Sequence, residues 1–320
     1  MESIRKHYKE IDSLKGLAIF LVVLGHAIIY FPINLHENTY CEGLFKILSS
    51  VHLPLFFVIS GFCFSYHGNY GAYVLKKIKR LIVPYFVFNL LDLLPRAMFP
   101  QFVNRSRGIT ESVIDMLLYG GEYWFLFALF MIFLIYPAIY KWQEESRTRK
   151  AVILLLSLVL AIKKLPTEVF VLSSVSYYLF YFNLGVVLKL CNIRIFELEL
   201  SKCHIFLPTV LSVLWITLLF SPWSHPVEIL TALIGITVCY FFTRLNAFND
   251  IFKHFGKFSL QIYLLNGFLL VISRTIICSV SDAPVVIIFF NMIVDFVCSY
   301  LVIRYICNRI PIVKVLMGIS

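Results

Sequence analysis

The chain has 320 residues, of which 60% are hydrophobic and only 14% are charged, and its mean hydropathy is +0.86. This composition is far more apolar than that of a water-soluble domain, so it excludes a soluble enzyme. The net charge is +10, but in such a chain the positions of the basic residues report topology, and we expect no nucleic-acid partner. Residues 1–320 are expected to form one membrane domain.

Apolar runs long enough to cross a hydrocarbon core of ~30 Å as helices recur along the whole sequence. They predict an all-α fold, a polytopic membrane bundle of about ten transmembrane helices. The fifth span is the weakest prediction, because it is short and the basic pair Lys163-Lys164 falls where it should end outside. The predicted spans are 16–32, 44–66, 81–99, 122–140, 151–165, 169–190, 204–221, 226–243, 259–279 and 284–306.

The basic residues set the predicted orientation. Of the 28 lysines and arginines, roughly three quarters fall in segments on the same side of the membrane as the N-terminus. Arg274, at the outer end of the ninth span, is counted among the minority on the other side. The positive-inside rule therefore places both termini in the cytoplasm, in a multi-pass protein of the cell (plasma or inner) membrane.

The first span carries a histidine, His26, near the middle of the membrane. Lys15 precedes it by about three helical turns, or ~16 Å of rise, so both side chains lie on nearly the same face. A lone buried histidine often does no more than hydrogen-bond a neighbouring helix. Ionisable groups inside a membrane are costly, however, and usually line an interior site. We therefore predict that His26 is catalytic.

The second span places another histidine at a similar depth. This span runs inward, so His52 lies ~12 Å below the outer surface and can share a site with His26. In the same span, Ser60 and Gly61 are expected to allow close helix packing.

Four cations stand between the second and third spans. They are typical of ordinary positive-inside anchoring, and they also suit a clamp for the phosphates of a cytoplasmic donor. The four are Lys76, Lys77, Lys79 and Arg80.

Polar side chains within the other apolar spans are expected to point into the bundle, because facing lipid is costly. Asp92 and Asp295 are the clearest cases, and the asparagines are Asn89, Asn183, Asn266 and Asn291. The eight cysteines show no spacing of a metal site, so no metal is predicted.

In this order, the motifs resemble those of membrane-bound acyltransferase family 3, and most closely its fucose 4-O-acetylase-like branch. Two positions depart from the family pattern: Lys15 stands where many members have arginine, and Asn266 stands where histidine is expected. The motifs run over most of the chain and are Asp12-x-x-Lys15-Gly16 with Val22-Val23-Leu24-Gly25-His26, His52-x-Pro54-Leu55-Phe56-Phe57-x-x-Ser60-Gly61, the basic run before Pro84-Tyr85, Trp124-Phe125-Leu126, and Gly256-Lys257-x-Ser259-Leu260-x-Ile262-Tyr263-Leu264.

The resemblance implies an acyltransferase that moves an acyl group, often acetyl from cytoplasmic acetyl-CoA, onto hydroxyls of extracytoplasmic or lipid-linked glycans. It also implies that His26 matches the essential histidine of the family's first helix. Acetyl-CoA is then a substrate and no cofactor is permanently bound. Capsule, O-antigen, exopolysaccharide and wall polymer all remain open as the acceptor.

The predicted mechanism has His26 as general base on the acceptor hydroxyl, with His52 orienting it. The residues expected to hold the donor phosphates are Lys15, Lys76, Lys77, Lys79 and Arg80, and those expected to contact the acceptor are Trp124, Asp92 and Asn89. Direct transfer and an acyl-histidine relay both remain open, as do succinyl or other acyl groups. The alternative from another class is a transporter or flippase of a glycan or lipid, which the lack of a visible inverted repeat disfavours.

Overall fold

A computed structural model of the chain describes residues 9–29, 35–98, 108–191, 206–225, 227–244, 246–307 and 309–319. Within these ranges the protein is a bundle of α-helices without a strand, which confirms the all-α prediction. The helices are α1 (Lys9–Ile29), α2 (Thr39–Phe62), α3 (Tyr70–Lys77), α4 (Val83–Met98), α5 (Ile109–Ile114), α6 (Trp124–Glu144), α7 (Arg147–Lys163), α8 (Leu172–Leu190), α9 (Phe206–Leu219), α10 (Glu228–Thr243), α11 (Asn246–Gly256), α12 (Ser259–Ile277), α13 (Pro284–Val302) and α14 (Pro311–Leu316).

Each predicted span coincides with one of these helices. Six helical segments of the described chain are long and apolar enough to cross a membrane by themselves, and α9 and α10 are shorter apolar helices. A helical membrane protein is thus confirmed, while the count of ten spans and the cytoplasmic termini stay predictions. The six segments are Glu10–Ile29, Thr39–Phe62, Ile109–Glu144, Val169–Leu190, Ser259–Ile277 and Pro284–Cys307.

Helix α1 lies at the centre of the bundle, in contact with α2, α10, α11, α12 and α13. It approaches α11 closely because both helices have glycine at the crossing. A Cβ atom on Gly16 would lie 1.8 Å from the carbonyl oxygen of Phe252, and one on Gly256 would lie 1.7 Å from that of Asp12. No other residue fits at either position, so the helix that carries His26 is held at backbone contact with its neighbour.

Helices α2 and α8 cross in the same way. A Cβ atom on Gly61 would lie 1.9 Å from the carbonyl oxygen of Phe182, and one on Gly185 would lie 2.0 Å from that of Val58. Small residues at such crossings let membrane helices approach closely. The predicted packing role of Gly61 is confirmed, whereas the neighbouring Ser60 lines a cavity instead.

Helix α7, the weakest predicted span, packs against α6 and α8. A buried polar network joins the three helices. The Asn183 amide on α8 donates to the Ser157 hydroxyl on α7 at 3.1 Å and accepts from Tyr136 at 2.6 Å and from the Gln143 amide at 2.8 Å, both on α6. The bundle position of α7 therefore rests on side chains that face inward, and not on hydropathy alone.

Replacing Asn183 by leucine is expected to lower the stability of the protein by about 1–3 kcal/mol, because three buried polar partners lose their hydrogen bond. Thermal unfolding in detergent should show a lower Tm, with α6 and α7 more accessible to protease. A leucine at Thr237, an exposed residue of α10 whose hydroxyl bonds only to the Leu233 carbonyl of the same helix, is the comparison. Equal Tm values for wild type and Asn183→Leu would contradict the proposed role of the network.

The Arg274 side chain does not extend to the protein surface, although the sequence analysis counted it among the basic residues of the outer segments. The side chain is fully buried in α12, and its Nη2 donates to the carbonyl oxygen of Ala27. That carbonyl lies in the last turn of α1, where backbone oxygens lack intrahelical partners and cations are favoured. Arg274 thus fixes the end of α1 that holds His26 against α12.

Candidate active site

A single cavity of about 1470 Å³ brings together most of the predicted site residues. It extends along α1 from Lys15 to His26, about three helical turns away. The cations Lys76, Lys77 and Arg80 line it together with Lys15. The cavity therefore has a cationic end and an end that holds both histidines.

His26 projects from α1 into this cavity. Its Nδ1 is hydrogen-bonded to the Oδ1 of Asn266, a fully buried side chain on α12. An amide oxygen only accepts hydrogen bonds, so in this arrangement Nδ1 carries the proton and Nε2 keeps its lone pair. In a neutral imidazole of this form, Nε2 is the basic nitrogen.

His52 lines the same cavity from α2 and lies close enough to His26 for the two rings to interact electrostatically. Its Nδ1 lies 2.6 Å from the carbonyl oxygen of Leu48, one turn earlier in α2. Because a carbonyl oxygen is only an acceptor, Nδ1 is the donor and Nε2 is the basic nitrogen of His52 as well. The structure thus brings the two predicted histidines together.

The cationic end contains more lysines than the sequence reasoning assigned to it. Lys189, on α8, and Lys257, between α11 and α12, also line the cavity. The Lys77 ammonium lies 3.5 Å from the centre of the Phe133 ring, and that of Lys15 lies 3.5 Å from an Asp12 carboxylate oxygen. Lys76, Lys79 and Arg80 are all exposed, but only Lys79 of the three does not line the cavity.

Tyr73 adds a neutral donor at this end. It lies on α3, between the predicted spans, and lines the cavity. Burial, with Tyr70 and Tyr66 nearby, raises the pKa of the Tyr73 phenol above its ordinary value. Among the described residues its buried hydroxyl has no hydrogen-bond partner, so it can donate to a ligand in the cavity.

Aromatic side chains surround the histidine end. Trp124, at the start of α6, lines the cavity, and its ring centre lies 6.0 Å from that of Tyr178. Phe125 and Tyr263 also line the cavity and meet edge to face, with their ring centres 5.7 Å apart. Such a wall is apolar but offers ring faces and hydroxyl groups.

Asn89 and Asp92 do not reach the histidines. They line a small adjoining cavity, which shares Asp115 and Glu122 with the main one. The Asn89 amide donates to the Tyr85 carbonyl at 2.9 Å and accepts from the backbone N–H of Glu122 at 3.1 Å. Asn89 therefore shapes the turn that precedes α6, and Trp124 is the member of the predicted acceptor set that lies in the main cavity.

Sequence reasoning did not assign a role to Asn266, Lys189 or Lys257. Asn266 was expected to point into the bundle and departed from a family pattern, and the two lysines resembled topological anchors. A polar residue in an otherwise apolar span was the sole signal for Asn266. No signal in the sequence distinguished Lys189 and Lys257, since cations at the inner ends of helices are common.

Comparison with known proteins gives one match over nearly the whole chain. The model of the family Acyl_transf_3, described as an acyltransferase domain, matches residues 8–304. Two curated relatives match a shorter part: Nodulation protein NolL of Sinorhizobium fredii is 30% identical over 128 residues, and Nodulation protein NolL of Mesorhizobium japonicum is 27% identical over 130 residues. Each match covers 39% of this chain and 34% of the relative, so only about a third of either relative's length is matched. No solved structure matches the chain.

Proposed function

Because the chain belongs to the acyltransferase domain family Acyl_transf_3, we propose that it is a membrane O-acyltransferase. It transfers acetyl from acetyl-CoA to a hydroxyl of a cell-surface or lipid-linked glycan, in the plasma or inner membrane. The fucose 4-O-acetylase-like branch is the part of the family that its motifs resemble most. The acceptor class includes capsule, O-antigen, exopolysaccharide and wall polymer.

The observation that carries this proposal is the continuity of the cavity between its two ends. A donor with several phosphates suits the end lined by cations, because charge-assisted hydrogen bonds to phosphate are strong and short. The donor's thioester can then extend along α1 toward His26 without leaving the protein. The acceptor suits the end with aromatic walls, where sugar faces stack on rings.

In the proposed chemistry, Nε2 of His26 takes the proton from the acceptor hydroxyl as its oxygen attacks the thioester carbonyl. The C–S bond breaks, a C–O ester bond forms, and the imidazolium returns the proton to the thiolate that leaves as CoA. His52 lies beside this reaction and helps to hold the acceptor or to orient His26. No covalent intermediate on the protein is needed, because one cavity accommodates both substrates.

The test is acyl transfer by the purified protein in proteoliposomes. Acetyl-CoA labelled in the acetyl group is supplied together with lipid-linked oligosaccharides extracted from the source cells. We expect an alkali-labile label on the glycan, and succinyl-CoA assayed in parallel identifies the preferred acyl group. Transport of the glycan with no covalent product would support a transporter or flippase instead.

Replacing Trp124 by leucine is expected to raise KM for the acceptor roughly 3- to 10-fold, because an aromatic contact contributes ~0.5–1.5 kcal/mol beyond its area. The KM for acetyl-CoA should change little, since Trp124 lies about three turns from the cationic end. Trp142→Leu is the control, because Trp142 is exposed at the other end of α6. Initial rates over a matrix of both substrate concentrations separate the two effects.

A further inference from the structure

A buried amide and a buried carboxyl group lie behind His26, away from the cavity. Asn266 on α12 and Asp295 on α13 are both fully buried, and neither lines the cavity. Helices α12 and α13 pack against each other, and the Asn266 side chain lies beside that of Asp295. Among the described residues, neither the Nδ2 of Asn266 nor either Asp295 carboxylate oxygen has a hydrogen bond of good geometry. On its other side, Asn266 bonds to Nδ1 of His26.

The order of these groups determines which way the amide points. Because the Oδ1 of Asn266 bonds to His26, its NH₂ group lies on the opposite side of the amide, where an ionised Asp295 carboxylate, which has only acceptor atoms, suits it. The amide oxygen then faces His26, and the ring nitrogen opposite that oxygen has to be the donor. The carboxylate therefore selects the amide orientation, and the amide selects the tautomer of the imidazole.

We propose that Asn266 and Asp295 are positioning residues that keep the proton of His26 on Nδ1 and the lone pair of Nε2 facing the substrates. This inference rests on the proposed acyltransferase activity, and it gives Asn266 a role in place of the histidine expected from the family pattern. Neither residue touches a substrate, since both stand outside the cavity.

A purely structural explanation accounts poorly for Asp295. A buried carboxyl group at membrane depth is costly, and a packed apolar side chain of similar volume is often as stable or more stable. Among the described residues, both of its carboxylate oxygens lack a hydrogen bond of good geometry, so it gains little in return. A role in orienting the Asn266 amide, which contacts the proposed catalytic base, explains why a carboxyl group is present at this buried position.

The test compares kcat and KM for acetyl-CoA in the proteoliposome assay. Asn266→Leu is expected to lower kcat about 100-fold with KM unchanged, because the base is no longer held in the productive tautomer. Asp295→Leu is expected to lower kcat roughly 10-fold, since the Asn266 amide remains but can rotate by 180° and exchange its oxygen and NH₂ group. The matched control is Asn291→Leu on α13, which removes another fully buried amide, bonded to Ser273, outside the cavity. Its kcat should stay within about 3-fold of wild type.

The decisive variant exchanges the two groups, as N266D/D295N. It keeps an acceptor facing Nδ1 of His26, so the proton stays on that nitrogen, while the donor and the acceptor of the second contact change places. We expect its kcat to recover to within about 10-fold of wild type, well above that of Asn266→Leu. Size-exclusion profiles and Tm values identify any variant that does not fold.

Several outcomes would overturn the inference. If the exchanged variant is folded but as inactive as Asn266→Leu, or if the two leucine variants change KM and Tm but not kcat, the positioning role is wrong. Because Asn266→Leu and Asp295→Leu are read separately, the inference stays testable even if the exchanged variant misfolds. A wild-type protein that transfers no acyl group would refute the proposed function itself, whereas an active wild type with unaffected Asp295→Leu refutes this inference alone.

Discussion

Replacing His26 by alanine is expected to reduce acyl transfer at least ~100-fold, because general-base catalysis contributes about 10²- to 10⁴-fold. The loss should appear in kcat, since His26 lies about three helical turns from the cations proposed to hold the donor. His52→Ala should have a smaller effect, because His52 neighbours the proposed base without being it. The measurement is initial rate against acetyl-CoA concentration in proteoliposomes.

The control for this prediction is His225→Ala, which removes an exposed histidine that does not line the cavity. Binding of acetyl-CoA to His26→Ala can be measured as a rise in Tm on addition of acetyl-CoA. This measurement tests whether the donor site remains intact. Retained acetylation by a folded His26→Ala protein would disprove the assignment. A larger loss in His52→Ala than in His26→Ala would make His52 the base.

The helices themselves were accessible from the sequence because hydrophobic length is a strong signal in a membrane protein. Even the doubtful fifth span coincides with α7. What hydropathy did not provide was the reason that α7 belongs in the bundle, which is the hydrogen bond from Asn183 to Ser157. That bond depends on the crossing of α7 and α8, which no local pattern encodes.

The contacts around His26 were beyond sequence reasoning for the same reason. Asn266 is separated from His26 by 240 positions, and Arg274 from Ala27 by 247. Periodicity relates residues within one helix and carries no information about which helices pack together. Arg274 shows the consequence, because it was counted among the basic residues of the outer segments although its side chain is fully buried.

The sequence also did not predict which cations of the basic run at the end of α3 and in the turn before α4 face the cavity. A π-helical turn at Ile78–Ile82 lies between the two helices and contains Lys79 and Arg80. Such a turn changes the angular position of the residues that follow, so the ordinary helical period does not predict which cations face inward. In the structure Lys76, Lys77 and Arg80 line the cavity, and Lys79 does not.

Neutralising the cavity-lining cations is expected to weaken donor binding while leaving the chemical step nearly intact. The double substitution Lys76→Gln and Arg80→Gln should raise KM for acetyl-CoA roughly 10- to 100-fold, since each of the two contacts contributes about 0.7–1.4 kcal/mol. The wild-type KM should also rise with added salt, and that dependence should be weaker in the variant. The matched comparison uses single variants: Arg80→Gln and Lys79→Gln each remove one positive charge from the same turn, and of the two only Arg80 lines the cavity. Lys79→Gln should therefore raise KM clearly less than Arg80→Gln.

A donor without nucleotide phosphates makes this prediction specific. With N-acetylcysteamine thioester, which retains the acetyl thioester but carries no phosphate, wild type and the double variant should react at equal rates. Equal loss with both donors would mean that the substitutions disturb α4 or the cavity wall rather than phosphate binding. If Lys79→Gln raises KM for acetyl-CoA as much as Arg80→Gln, the cations act through the field of the cytoplasmic surface, and the cavity does not determine where the donor binds.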